Sequence, residues 1–138
     1  MDLQRIAYEK LSAKQQELYN FHKAAAVLAD YGFHCVKLAD DWEGADFLAC
    51  HKDGQILKIQ LKGRLHINRK YLDKGLYMVF PSKGHWYVTL HDELVRHVSE
   101  LTDWLNQDSW TKKGVFHSAS PRQELLDRLF RLGARRDC

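Results

Sequence analysis

The stretch Ala45-Asp46-Phe47-Leu48-Ala49-Cys50-His51-Lys52-Asp53-Gly54-Gln55-Ile56-Leu57-Lys58-Ile59-Gln60-Leu61-Lys62 holds two apolar runs around a polar break, and its reading decides the fold. Ala45 to Cys50 and Ile56 to Leu61 have strand length, and the Asp53-Gly54 pair between them is a strong short-range hairpin signal. Register then decides which side chains share a face. With Lys52-Asp53-Gly54 as the loop and Gly54 left-handed, Asp46 falls opposite Gln60, while Phe47 and Ala49 fall opposite Ile59 and Leu57. One face is then apolar, and the other carries Asp46, Gln60 and Lys62. With Asp53-Gly54 alone as the turn, the pairing slips by one residue and Asp46 moves to the face of Leu61. The first register gathers the apolar side chains; the second stays open at the level of sequence.

Upstream, Ser12 with Gln15 forms a capping-box pattern, and Leu18, Phe21, Ala25 and Leu28 recur at helical spacing until Gly32. The spacing predicts an amphipathic helix from the cap to the glycine, with Asp2 to Lys10 either a separate helix or its extension. Phe33 to Leu38 reads as a strand, and Asp40 to Gly44 as a polar loop. Downstream, Gly63 to Gly75 is basic and polar, with a helical turn around Asn68 to Leu72. Leu76 to Phe80 and His85 to Leu90 read as two further strands joined by Pro81-Ser82-Lys83-Gly84. Leu94, Val95, Val98, Leu101 and Leu105 predict a second amphipathic helix, and Ser120-Pro121 with Gln123 predicts a third that ends at Gly133. Asn106 to Ala119 between them reads as loop. This order predicts an α/β fold with a mixed central sheet flanked by helices, in one domain spanning residues 1–138.

A chain of 138 residues is long enough to bury a core without staples. The apolar fraction of 45% and charged fraction of 28% are those of a globular protein, and no run approaches a membrane span. The N-terminus lacks an apolar signal core, so a cytoplasmic location is expected. Cys35, Cys50 and Cys138 make an odd count without a CxxC pair, which predicts reduced thiols; His34 and His51 beside two of them do not supply the paired spacing of a zinc site. The net charge of +3 is mild. Its distribution says more: Lys58, Lys62, Arg64, His66, Arg69, Lys70 and Lys74 crowd one segment, and Arg122, Arg128, Arg131, Arg135 and Arg136 crowd the C-terminus. Either cluster is a solvated face or a track for an anionic partner.

Strand residues two apart project together, so Gln60 and Lys62 share a face that the first register extends to Asp46. Phosphodiester hydrolysis needs a hard divalent cation on oxygen ligands and a positive charge near the attacking water or the crowded phosphorus. Asp46 offers an anionic oxygen, Gln60 an amide oxygen supplemented by the Ile59 to Leu61 backbone, and Lys62 the cation. Trp42 and Trp86 are candidates for stacking on bases, and His22 for a phosphate contact. No Gly-rich phosphate loop, serine elbow or Cys-His nucleophile pattern is present.

The succession of helix, glycine, strand, Gly-x-Asp at Gly44 to Asp46, Asp-Gly hairpin and Gln60-x-Lys62 resembles the PD-(D/E)xK nuclease superfamily. It is most similar to the branch that writes the motif with Gln, which includes some intron-encoded homing endonucleases. The similarity runs from about Glu17 to Val95 and takes in Lys70-Tyr71-Leu72, Trp86-Tyr87 and His91-Asp92-Glu93-Leu94. The resemblance implies a restriction-endonuclease-like core and a DNA endonuclease using Mg²⁺, or Mn²⁺, and acting as a homodimer. Asp46 and Gln60 would bind the metal and Lys62 would orient the nucleophile; apart from the resemblance, Lys58, Arg64, Arg69 and Lys70 of the basic segment are expected to grip phosphates of a nucleic acid. Many members carry a Glu on the first helix about three turns before its glycine. Here that position reads Asn20 or Phe21, and the nearest carboxylate is Glu17, one turn earlier on the same helical face. Two other readings follow from the same residues: a non-catalytic nucleic-acid-binding module on this fold, and an interaction protein associating through the helices at Leu94 to Leu105 and Leu125 to Leu132.

Overall fold

The computed structural model describes residues 1–133. Arg135, Arg136 and Cys138 lie outside the described residues. After a 3-10 turn at Tyr8–Lys10, α1 spans Ala13–Ala29, β1 Phe33–Trp42, β2 Ala45–His51, β3 Ile56–Leu61, β4 Leu65–Asn68, β5 Leu76–Ser82 and β6 His85–Leu90. Then come α2 (His91–Leu101), α3 (Asp108–Thr111), β7 (Val115–Ser118), α4 (Gln123–Leu126) and β8 (Phe130–Leu132). Six strands form one sheet in the order β1-β2-β3-β5-β6-β8, in which β3 and β5 run parallel and the remaining neighbours antiparallel. The expected mixed sheet flanked by helices is present. β4 and β7 make a separate two-stranded ribbon.

α1 begins where its side chains predict. Ser12 Oγ accepts from Gln15 N–H at 3.2 Å while Gln15 Oε1 accepts from Ser12 N–H at 3.1 Å, a reciprocal cap that satisfies two orphan donors. Phe21, Ala24 and Leu28 face the sheet and pack on Phe47, Ala49, Ile59 and Val79, forming one apolar layer. The opposite sheet face, with Leu76, Met78, Phe80 and Tyr87, is covered by Leu94 and Val98 of α2, Leu125 and Leu126 of α4, Leu129, and Leu65 and Ile67 of β4. These leucines are therefore consumed inside the chain. The helical faces at Leu94 to Leu105 and Leu125 to Leu132, expected under one reading to form an oligomer interface, are largely core, and that basis for an interaction protein falls away.

Four further expectations are corrected. Asp40 to Gly44 is not a loop: β1 continues to Trp42, and Glu43-Gly44 makes a two-residue turn with φ of 52° and 88°, the left-handed pair that a tight hairpin demands. The third helix stops after Gln123–Leu126, and Phe130–Leu132 becomes strand β8, with Leu132 opposite Trp86. Helical spacing of leucines signalled a longer helix, but β6 would otherwise leave a row of unpaired backbone groups at the sheet edge. Leu105 lies beyond α2, in a 3-10 turn at Trp104–Asn106, and β7 emerges from the supposed loop because β4 pairs with it from Leu65↔Ser118 to Asn68↔Val115.

Gly44 directly precedes the strand that carries Asp46. Its N–H donates to Asp41 Oδ1 at 2.7 Å, and a Cβ there would stand 2.6 Å from Leu76 Cδ1. Gly44→Ala therefore combines left-handed strain with a clash against a buried leucine, and is expected to destabilise the fold by about 2–4 kcal/mol. Urea denaturation of the variant checks this; a loss below about 0.5 kcal/mol, the size of a neutral surface change, would mean the turn readily rearranges.

Candidate active site

The hairpin settles into the first register: Phe47 pairs with Ile59, Leu48 with Lys58 and Ala49 with Leu57, and Gly54 has a φ of 98°. Beyond Phe47 and Ile59 the strands part. Continuing the ladder would give the Leu61 N–H to the Ala45 carbonyl; the Asp46 carboxylate accepts it instead, with Oδ2 at 2.9 Å. Meanwhile β3 turns toward β5, where Lys62 N–H donates to the Val79 carbonyl at 3.0 Å. The splay opens a cavity of about 410 Å³ between the strand ends and the first half of α1.

Asp46, Gln60, Lys62 and Glu17 all line that cavity. Gln60 is only 5% exposed, and its Oε1 is buried with no hydrogen-bond partner. An amide oxygen left so costs about 1–3 kcal/mol, which a ligand in the cavity would recover. Burial raises the Asp46 carboxyl above its ordinary range, and the Leu61 N–H, Lys62 and Lys37 partly offset the effect. Glu17 behaves differently. It is half-exposed, and Lys37 Nζ at 3.1 Å holds its pKa down, assisted by Lys14 at 3.5 Å. Its carboxylate is already paired at the rim.

Sequence reasoning missed Tyr8, Asn20 and Lys37 as walls of this cavity. Asn20 donates from Nδ2 to the Tyr8 hydroxyl at 2.9 Å, while Phe21 is core. Lys37 had a signal: it is the one Lys in the apolar run from Phe33 to Leu38. Tyr8 had none, since only the tertiary fold lays its 3-10 turn against α1, where Gln16 Nε2 donates to the Tyr8 carbonyl at 3.0 Å.

The four expected nucleic-acid contacts separate. Arg64 lines an adjoining pocket of about 350 Å³ with Lys62, Gly63, His66 and His117. Burial, then Lys62 and His117, push His66 down to about 4, so at neutral pH His66 adds no charge to that of Lys62 and Arg64. Lys58 instead pairs with Glu43 at 3.1 Å and lies over the Trp42 ring. Arg69 donates to the Trp110 carbonyl and covers the Trp110 ring, tying β4 to α3, and Lys70 lies over Tyr71. The structure does not bring these three to the cavity. Cys35 and Cys50 are free, and burial pushes the Cys35 thiol up to about 11.

No protein-family model and no curated protein matches the chain. Among solved structures it is similar to Hjc, a Holliday junction resolvase from Archaeoglobus fulgidus, at 12% identity and a TM-score of 0.42, covering 53% of this chain and 76% of that one. It is also similar to the bacterial homing endonuclease I-Ssp6803I, at 15% identity and a TM-score of 0.44, covering 80% and 78%.

The donor set suits a hard divalent cation: one carboxylate, one unpartnered buried amide oxygen and the main chain at a strand end. It is a sparse set. Among the described residues no three His, Cys, Asp or Glu side chains are grouped closely enough to hold a metal by themselves. No helix among the described residues is long and apolar enough to cross a membrane.

Proposed function

We propose that this chain is a divalent-metal-dependent endonuclease that hydrolyses DNA phosphodiester bonds in the cavity between β2, β3 and α1. The observation that carries the reading is that Gln60, whose Oε1 is buried and unpartnered, lines the same cavity as Asp46 and Lys62. Asp46, Gln60 and main-chain oxygen at the end of β3 would hold Mg²⁺ or Mn²⁺. Such an ion supplies Lewis-acid neutralisation of the phosphoryl oxygens. Lys62, anchored through its N–H on Val79, presents a cation where charge builds on the phosphorus and where the attacking water must be oriented. Arg64 in the adjoining pocket receives a neighbouring phosphate. One such cavity cuts one strand, so a homodimer serves a duplex. The proposed place of action is the cytoplasm, where free thiols stay reduced.

The test is a time course on supercoiled plasmid and on branched DNA with Mg²⁺, Mn²⁺ or EDTA, together with calorimetric titration of the metals. Cutting in either metal and none in EDTA is expected. The pairing of Glu17 with Lys37, together with Asn20 and Phe21 standing where a helix carboxylate would be expected, favours a second reading, a nucleic-acid-binding module without catalysis. Salt-sensitive DNA binding with no metal uptake and no cutting would select it.

A further inference from the structure

A second cavity of about 390 Å³ adjoins the candidate active site, and Tyr8, Asn20 and Gly63 line both. Its remaining wall includes Tyr19, Lys23 and Trp86. Three aromatic rings thus surround one opening. Tyr19 is 42% exposed although it sits on a helix whose other aromatic, Phe21, is core. The Tyr8 and Tyr19 rings meet edge to face with centroids 5.3 Å apart, and Lys23 Nζ lies 5.3 Å from the Tyr19 centroid. Lys23 forms no ion pair among the described residues, and no carboxylate lines this cavity. Trp86 of β6, paired with Leu132 of β8, is partly buried against the core layer under α1.

We propose that this cavity takes an unpaired nucleobase from the strand whose phosphate occupies the Asp46 cavity, so that the preferred DNA has an unpaired nucleotide next to the cut. The inference rests on the nuclease reading for the position of the phosphate. Aromatic rings beside a lone cation are the combination by which proteins hold single-stranded nucleic acid, the rings stacking on the base and the cation meeting the backbone. Anion-binding chemistry alone would not need the rings, and an apolar ligand would not need Lys23. The shared wall at Tyr8, Asn20 and Gly63 makes the two cavities contiguous, as a base and its own phosphate require. A base held there cannot remain in a duplex, because stacking on protein replaces stacking on its neighbours.

Binding is measured in EDTA, where no cleavage occurs, on a duplex with one unpaired 2-aminopurine and on the same duplex fully paired. Wild type is expected to quench the unpaired base and to bind that duplex more tightly. Tyr19→Leu keeps apolar bulk and removes the ring; it should weaken binding to the unpaired duplex by about 5- to 100-fold and leave the paired duplex within about twofold, the size of a small surface perturbation. Tyr19→Phe should retain the preference. Equal affinity of wild type for both duplexes, or equal losses on both in Tyr19→Leu, would overturn the proposal. The plasmid assay separates the two claims: discrimination in EDTA without cutting in any metal leaves the base site standing and removes the nuclease.

Discussion

Lys62→Ala is expected to lower metal-dependent cleavage by about 10²–10³-fold while leaving the fold intact and duplex binding only modestly weaker. Lys62 sits past the last paired residue of β3, held by its N–H on the Val79 carbonyl, with its side chain lining both the Asp46 cavity and the Arg64 pocket. Its ammonium makes no ion pair among the described residues, so truncation breaks no structural link. The charge it stabilises develops mainly in the transition state, and one phosphate contact among several contributes little to affinity. Single-turnover rates and dissociation constants for the same duplex check the split. A variant that cuts at the wild-type rate would remove Lys62 from the chemistry; one that loses binding and rate in equal proportion would make it a DNA contact only.

Asp46→Asn is expected to cost a comparable factor, about 10²–10³ in Mg²⁺, the scale of losing one preorganised charged group, with partial recovery in excess Mn²⁺ that Lys62→Ala should not show. It should also raise the melting temperature at neutral pH. Burial raises the Asp46 pKa in the folded state, so the folded chain binds this proton more tightly than the unfolded one. The stability linked to that protonation is complete below the unfolded carboxyl pKa and is lost as pH rises through the raised folded value. At neutral pH the wild type therefore carries a buried charge at a cost that Asn avoids, and the Asn oxygen can still accept the Leu61 N–H. Thermal denaturation should show the gain at neutral pH and its disappearance in acid, where wild-type Asp46 is itself neutral. A lower melting temperature at neutral pH would mean that the Leu61 N–H bond and the nearby charges of Lys62 and Lys37 make Asp46 a structural carboxylate. Loss of activity with gain of stability is the mark of a side chain held for chemistry.

The sequence by itself determined the hairpin and singled out Asp46, Gln60 and Lys62. Apolar alternation on both sides of Asp53-Gly54 favours the register that buries Phe47, Ala49 and Ile59 together, the one the structure adopts, and that register carries Asp46 toward Gln60 and Lys62. The Ser12-Gln15 box likewise set the start of α1, because a cap is satisfied within four residues of chain. What lay beyond local reach was decided by the tertiary structure. Leu125 to Leu132 has the spacing of a helix, yet its end is drawn into strand β8 by the open edge of β6, more than forty residues away. Leu65–Asn68 and Val115–Ser118 carry weak strand signals and exist as strands only because they pair with each other. The walls that Tyr8, Asn20 and Lys37 give the cavity come from three separate elements, and no local pattern reports which of them will meet. Lys58 and Arg69 show the converse: a run of cations in sequence reads as one basic track, but folding gives Lys58 the Glu43 carboxylate and Arg69 the Trp110 carbonyl, while Lys62 and Arg64 line the pocket beside the site.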